Sequence, residues 1–366
     1  MIQWRVALTR IRALMFKESL QLLRDRATFG MLLGIPLLQI ALFGCAIELS
    51  PHSLEVTIVA SETARFARLE HLLLSQTDAA HVTRAQSLPL AFKRQKRGET
   101  LLVIDADAHP PVLYLDATNP VLATHAELSI ERIVRAVSGP VEEEGALPPY
   151  RLQRLYNSAL RAQPFLVTGL LGVVLTMSLG MLSALTVARE RERGTLDGLL
   201  GTPVRPLELW VGKLAPYVLF GVLQAALIAA LGVLGFDIHA RGSITLLALA
   251  TLIFATANLA LGFLFSCLAR QQMQAMQMTF FFFLPSSLLS GFMFPFSAMP
   301  RWAQLLAETL PLTHFLRIVR GIVLRGVDTA FVLRELLPIG VFAVCSMAAA
   351  RVVWRRRVVT VSPFSF

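Results

Sequence analysis

Charge is scarce in this chain and absent from its longest apolar stretches. Only 16% of the 366 residues are Asp, Glu, Lys or Arg, and none of them falls between Ala162 and Ala188 or between Leu214 and Phe236. Each stretch exceeds the roughly 20 residues that span a bilayer. Cysteine is scarcer still. Cys45, Cys267 and Cys345 stand singly in apolar runs, so neither a zinc site nor a disulfide framework is indicated. A nucleotide-binding G-x-x-x-x-G-K-S/T loop is missing: Leu214 follows Gly212 and Lys213, and Leu207 stands where the first glycine belongs. No HExxH or nucleophile triad falls in a sensible context, which argues against a hydrolase. The apolar runs also carry no acid or lysine of the kind ion-driven transporters use as relays, so a bundle without intramembrane charge is expected.

What is present is apolar. Hydrophobic residues make up 55% of the chain, and the mean hydropathy is +0.61. That is too greasy for an ordinary soluble domain and implies an integral membrane protein. The net charge of +10 clusters at the ends of apolar runs rather than on one face, which fits membrane topology and speaks against nucleic acid. Six spans are expected: Thr28 to Ile47, Phe165 to Ala188, Leu214 to Phe236, Ile244 to Leu268, Gln274 to Phe296 and Leu336 to Val353. The fold class is therefore a polytopic α-helical membrane protein of six transmembrane helices, with an α/β extracytoplasmic domain between helices 1 and 2. Thr256 and Asn258, in the fourth span, are read as helix-packing groups. Gly30 and Gly34 form a small-xxx-small pair in the first, which is read as an uncleaved anchor rather than a signal peptide.

The divisions follow the charge. Residues 1–26 carry Arg5, Arg10, Arg12, Lys17, Arg24 and Arg26 beside Trp4, Leu8, Ile11, Met15 and Leu22, a pattern for an amphipathic helix in the cytoplasmic interface. Residues 27–47 follow as helix 1. Residues 48–161 alternate strand and helix signals: strands at Leu54 to Ala60, Leu101 to Asp105 and Pro111 to Asp116, helices at Glu62 to Gln76, Gln86 to Lys96 and Pro120 to Val137. Gly139 to Pro149 reads as an acidic connector and Arg151 to Arg161 as a helical stalk. His52, His71, His81, His109 and His125 stand at no ligand spacing. Residues 162–366 hold helices 2 to 6, a cytoplasmic segment 189–213 and an outer re-entrant segment 297–330 broken by Pro300 and Pro311. The last span is followed by Arg355, Arg356 and Arg357, which place the tail inside, together with the amino terminus.

The segment 189–213, RERERGTLDGLLGTPVRPLELWVGK, lies between two spans and is rich in charge. Its basic excess marks it as cytoplasmic. Thr195 to Leu200 reads as one or two turns of helix with Leu196, Leu199 and Leu200 on one side, ended by Pro203 and Pro206. This string resembles the segment of type-two ABC transporter permeases written E-x-E-x-G-T-x-x-x-L-x-x-T-P, then G-K. Glu190, Glu192, Gly194, Thr195, Leu199, Thr202, Pro203, Gly212 and Lys213 fill those positions. KESLQLLRDR near the amino terminus and the run Pro311 to Phe315 are also similar to that family, in the branch with a large extracytoplasmic domain after the first span. Arg26 and Ser158 stand where the family favours proline.

The resemblance implies that 189–213, with Leu196 on its apolar side, couples to a separate ATP-binding subunit. It further implies a bacterial inner membrane location and a second permease that is identical or homologous, and leaves room for a periplasmic adaptor, with the lipid bilayer as surroundings. No cofactor is expected in this chain, ATP and Mg being bound by the partner subunit. Charge-free spans suggest an amphipathic substrate, a drug, antibiotic or lipid. A membrane-anchored receptor or scaffold and an ion-coupled transporter are the other readings the residues leave open.

Overall fold

The computed structural model describes residues 2–24, 54–76, 80–108, 110–138, 150–196, 206–296 and 299–361. The first expected span with Gly30, Gly34 and Cys45, the acidic connector and His109 lie outside them. The chain opens with helix α1, Ile2–Arg24. A mixed sheet then follows in the order β2-β1-β3-β4-β5. Its strands are β1 (Leu54–Val59), β2 (Ala80–Ala85), β3 (Leu102–Asp105), β4 (Val112–Asp116) and β5 (Arg151–Leu155). Only β3 and β4 run antiparallel. Helices α2 (Thr63–Gln76), α3 (Leu88–Lys96) and α4 (Pro120–Ser138) complete the unit.

Both sheet faces are covered, which explains the sequence pattern. Val56, Ile58, Leu102, Ile104 and Leu115 face Leu73 of α2 and Ala123, Ala126 and Ile130 of α4. On the opposite face Val59 and Val103 meet Ala91 of α3. Central strands buried on both sides read as continuous apolar runs, and the three expected strands are found. The stalk is not. Arg151 to Arg161 forms the edge strand β5 and then an irregular link with Tyr156 and Leu160 at φ +70 and +50. Leu152 and Leu155 are three residues apart and satisfy a helical spacing, but backbone pairing to β4 decides the outcome. Arg154 then grips Glu127 of α4 with two hydrogen bonds of 2.6 and 2.8 Å.

The remaining helices build a bundle: α5 (Ala162–Glu192), α6 (Pro206–Phe236), α7 (Ile244–Leu268), α8 (Gln272–Leu289), α9 (Arg301–Ala307), α10 (Pro311–Arg320) and α11 (Thr329–Val361). Small residues let α5 and α7 touch backbone to backbone. A side chain at Gly262 would come within 2.4 Å of the Gly180 carbonyl. The Ser183 hydroxyl donates to the Leu259 carbonyl at 2.6 Å, and the amides of Val187 and Ala188 donate to the Ser266 hydroxyl at 2.8 and 3.0 Å. Asn258 and Thr256 donate to carbonyls one turn back, at Phe254 and Leu252.

Among the described residues four helices are long and apolar enough to cross a membrane: Ala162–Glu192, Val211–Phe236, Ile244–Leu268 and Thr329–Arg355. The expected fifth span is shorter than its apolar run. Helix α8 stops at Leu289, because Ser290 caps it and Gly291 turns at φ +82, a conformation that favours glycine. The following piece is broken as its prolines require, Pro311 standing at the start of α10. One π-helical turn, Gly321–Arg325, ends at Gly326 in the left-handed region. Helix α10 is buried in the bundle: the Phe315 ring stacks on Phe254 with centroids 4.0 Å apart. Irregular backbone of this kind is tolerated where protein covers it.

The apolar runs carry no acid or lysine, and buried charge stands at their margins. Lys213 is only 1% exposed and Glu335 only 9%. These charges sit at the ends of long helices, where each meets an opposite charge, and so they leave the apolar runs uninterrupted. Their gathering at two places defines the site.

Candidate coupling site

At one end of the bundle three elements meet on one carboxylate. Glu190 lies in the last turn of α5 and is buried. Its Oε1 accepts a hydrogen bond from Lys17 of α1 at 2.6 Å and stands 3.5 Å from Nζ of Lys213 on α6. Lys213 also reaches the Thr186 carbonyl at 3.5 Å. A second ion pair joins the same helices, Arg10 to Glu208 at 3.7 Å. Helix α1 can come this close because Gly212 lacks a side chain: a Cβ there would lie 2.7 Å from Leu14.

The chain leaves this knot through a left-handed turn. Helix α5 ends at Glu192, Arg193 caps it, and Gly194 adopts φ +68 with nothing among the described residues within 4 Å of where a side chain would start. The Thr195 hydroxyl and amide return to Glu190, the hydroxyl to Oε2 and the amide to the carbonyl at 3.0 Å. Leu196 then packs against the bundle core. Glu192, although exposed, is fixed from the other side, accepting from the amide of Gln272 at 2.6 Å and from its side chain. Arg191 donates to the Ala269 carbonyl.

Of the residues singled out by the motif, Glu190, Thr195 and Lys213 are brought together, Glu192 and Gly194 flank them, and Leu196 anchors the exit. Leu199, Thr202 and Pro203 lie outside the described residues. The structure also narrows the segment: 189–192 belong to α5 and Pro206 to Lys213 to α6, so the link between the helices is 193–205. Lys17, Arg10, Glu208 and Gln272 complete the site and were not assigned to it from sequence. Lys17 was visible in the KESLQLLRDR string, but nothing local ties it to a glutamate 173 positions away. The buried Lys213 and Glu190 take hydrogen bonds with Lys17, Thr195 and the Thr186 carbonyl, which tie α1, α5 and α6 together. Among the described residues no group of His, Cys, Asp and Glu could hold a metal ion.

A second cluster lies at the opposite end of α5, about 37 Å away at 1.5 Å per residue over the 25 residues from Phe165 to Glu190. His314 Nδ1 contacts Glu335 at 2.7 Å, and Nε2 lies 2.9 Å from the Glu308 carbonyl. Burial opposes a charge on His314, but the hydrogen bonds and the Glu335 carboxylate outweigh it and hold its pKa above the usual histidine value. Arg317 pairs with Glu308 at 2.6 Å, and Arg325 with Asp116 of β4 at 2.8 Å. Arg317 and Arg325, on the segment expected to lie outside, are thus matched by acids.

Long apolar helices carrying a folded α/β unit are the build of a multi-pass membrane protein. The chain belongs to the ABC-2 family of transporter proteins, whose family model matches residues 26–352. It is similar to the probable multidrug ABC transporter permease YbhR of Escherichia coli, 29% identical over 95% of this chain and 99% of that one. It is also similar to the probable multidrug ABC transporter permease YbhS of the same organism, 29% identical over 89% of this chain and 90% of the other. ABC transporter G family member 20 of Dictyostelium discoideum is 23% identical over 85% of this chain, which spans 46% of that protein. The chain is a multi-pass membrane protein and the permease subunit of an ABC exporter, not itself catalytic and a partner of ABC ATPase subunits.

Proposed function

We propose that this permease exports an amphipathic compound, a drug, antibiotic or lipid, from a bacterial inner membrane, as one of two permeases working with two separate ATPases. ATP and Mg are bound by the ATPases, and this chain carries no cofactor. The observation that carries the proposal is the joint at Glu190, where α1, α5 and α6 are locked at the root of the link 193–205. A motor that pushes on this link, with Glu190, Glu192, Gly194, Thr195, Leu196, Leu199, Thr202, Pro203 and Lys213 as its coupling residues, moves three helices as one body.

Six spans result when the apolar stretch 28–47 and α8 are counted with the four long helices. Both termini and the link then face the cytoplasm, and the α/β domain lies outside. Outward-facing apolar residues such as Leu219, Leu223, Leu337 and Val344 suit lipid or a second permease. The names of the two Escherichia coli relatives support a multidrug cargo, and a periplasmic adaptor would take the product onward. The test is reconstitution in proteoliposomes with the ATPase that co-purifies with the chain. ATP-dependent, drug-stimulated turnover that is lost in Glu190→Ala is expected; drug movement on a proton or sodium gradient without ATP would overturn the proposal.

A further inference from the structure

A cavity of about 420 Å³ lies between the α/β domain and the bundle. Arg97 and Thr118 of the domain, Phe165 at the start of α5, the Gly291 turn, and Thr313 and Arg320 of α10 are among its walls. Most charges in it are spoken for. Arg325 is held by Asp116, Arg317 by Glu308, and Arg97 lies 3.8 Å from Asp328. Arg320 is different.

The Arg320 guanidinium lies over the Phe165 ring, 3.9 Å from its centroid, and Nη1 donates to the Gly291 carbonyl at 2.9 Å. Its Nε and Nη2 are both buried and have no hydrogen-bond partner among the described residues. These two nitrogens form one edge of the guanidinium, the fork that takes two oxygens of a carboxylate or phosphate side-on. The Thr313 hydroxyl is likewise buried without a partner, as is Nε of Arg97. Thr313 precedes Arg320 by seven residues on α10, two turns, and so shares its face. A cation whose unused fork is buried costs free energy unless an anion meets it. Phe165 also borders a small apolar crevice, about 40 Å³, lined by Val121, Leu166 and Met293.

We propose that this cavity binds the oxyanion head of an amphiphile, a phosphate or carboxylate, taken side-on by Arg320 and by the Thr313 hydroxyl, with the apolar chain leaving along Phe165. The site deepens the export reading and rests on it only for the claim that such a molecule is cargo. Binding itself needs no ATPase. The fork fixes the head, the phenyl ring of Phe165 shields it from water, and the crevice takes the first carbons of the chain.

The test is equilibrium binding of decyl phosphate to the purified full-length chain in a neutral detergent, with inorganic phosphate and decyltrimethylammonium as the other probes. Decyl phosphate binds the wild type, about tenfold or more weakly in Arg320→Gln, and several-fold more weakly in Thr313→Val, as loss of charge-assisted hydrogen bonds requires. Arg320→Lys, which keeps the charge and loses the fork, falls between. Competition by inorganic phosphate at equal affinity would assign the oxyanion site to a free anion and remove the amphiphile from the proposal. A weaker effect of inorganic phosphate supports the amphiphile. Decyl phosphate binding that is indifferent to Thr313→Val and to Arg320→Lys, or decyltrimethylammonium bound as tightly, would overturn the site whether or not Arg320→Gln folds. Transport and ATPase activity are read separately, so failure of one proposal does not mimic failure of the other.

Discussion

Replacing Glu190 by alanine removes the carboxylate that stands 3.5 Å from the Lys213 ammonium, which is 1% exposed. Breaking a buried pair by removing one partner costs about 3 to 5 kcal/mol, because the other charge stays buried and uncompensated. Lys17 is on the same carboxylate, but its side chain is 51% exposed, so the same arithmetic gives Lys17→Ala no more than about 1 kcal/mol. The order of effects is therefore the prediction. Thermal unfolding in detergent, followed by tryptophan fluorescence, is expected to fall by several degrees in Glu190→Ala and by a degree or two in Lys17→Ala. The double variant Glu190→Ala with Lys213→Met is expected to regain most of the loss, since the buried ammonium is then removed together with its carboxylate. A double variant as unstable as Glu190→Ala, or Lys17→Ala as harmful as Glu190→Ala, would refute the reasoning.

Three other outcomes follow from the geometry. Gly262→Ala puts a methyl 2.4 Å from the Gly180 carbonyl, so α5 and α7 must separate; a stability loss of about 1 to 3 kcal/mol, read as a lower melting temperature, is expected, whereas Gly340→Ala, with nothing within 4 Å among the described residues, is expected to be silent. Gly194 has φ +68 and nothing within 4 Å among the described residues, so Gly194→Asn is expected to be tolerated and Gly194→Val to cost about 1 to 2 kcal/mol and impair ATPase stimulation. His314 has a raised pKa in the folded chain, so its charge stabilises the fold fully below the unfolded value near 6.5, and that contribution fades as pH rises through the folded value. Melting scans from pH 5 to 9 are expected to show this decline in the wild type and not in His314→Gln.

Much of the fold was written in local pattern, and much of the joint was not. The central strands and the long spans announce themselves because burial on every side demands unbroken apolar residues. The edge strands β2 and β5 expose one face and one margin, so AHVTRA and RLQRL carry no apolar alternation, and the second was read as helix. The end of α8 hinges on Gly291 adopting a positive φ inside a run that is otherwise apolar through Phe296. Glu190, Thr195 and Lys213 were legible as motif positions, yet that they form one ion cluster depends on α5 and α6 returning side by side. Lys17 and Gln272 reach them only through packing, and no local pattern marks the unused fork of Arg320.

The most direct test of the coupling account is accessibility at Thr195→Cys, in a chain with Cys45, Cys267 and Cys345 replaced by alanine. In intact cells from which the outer barrier has been removed, a membrane-impermeant maleimide is expected to leave this cysteine unmodified. In inside-out vesicles it is expected to react, and to be protected when the ATPase subunit is bound. Modification from the exterior, or reaction in inside-out vesicles that the bound ATPase does not slow, would contradict it.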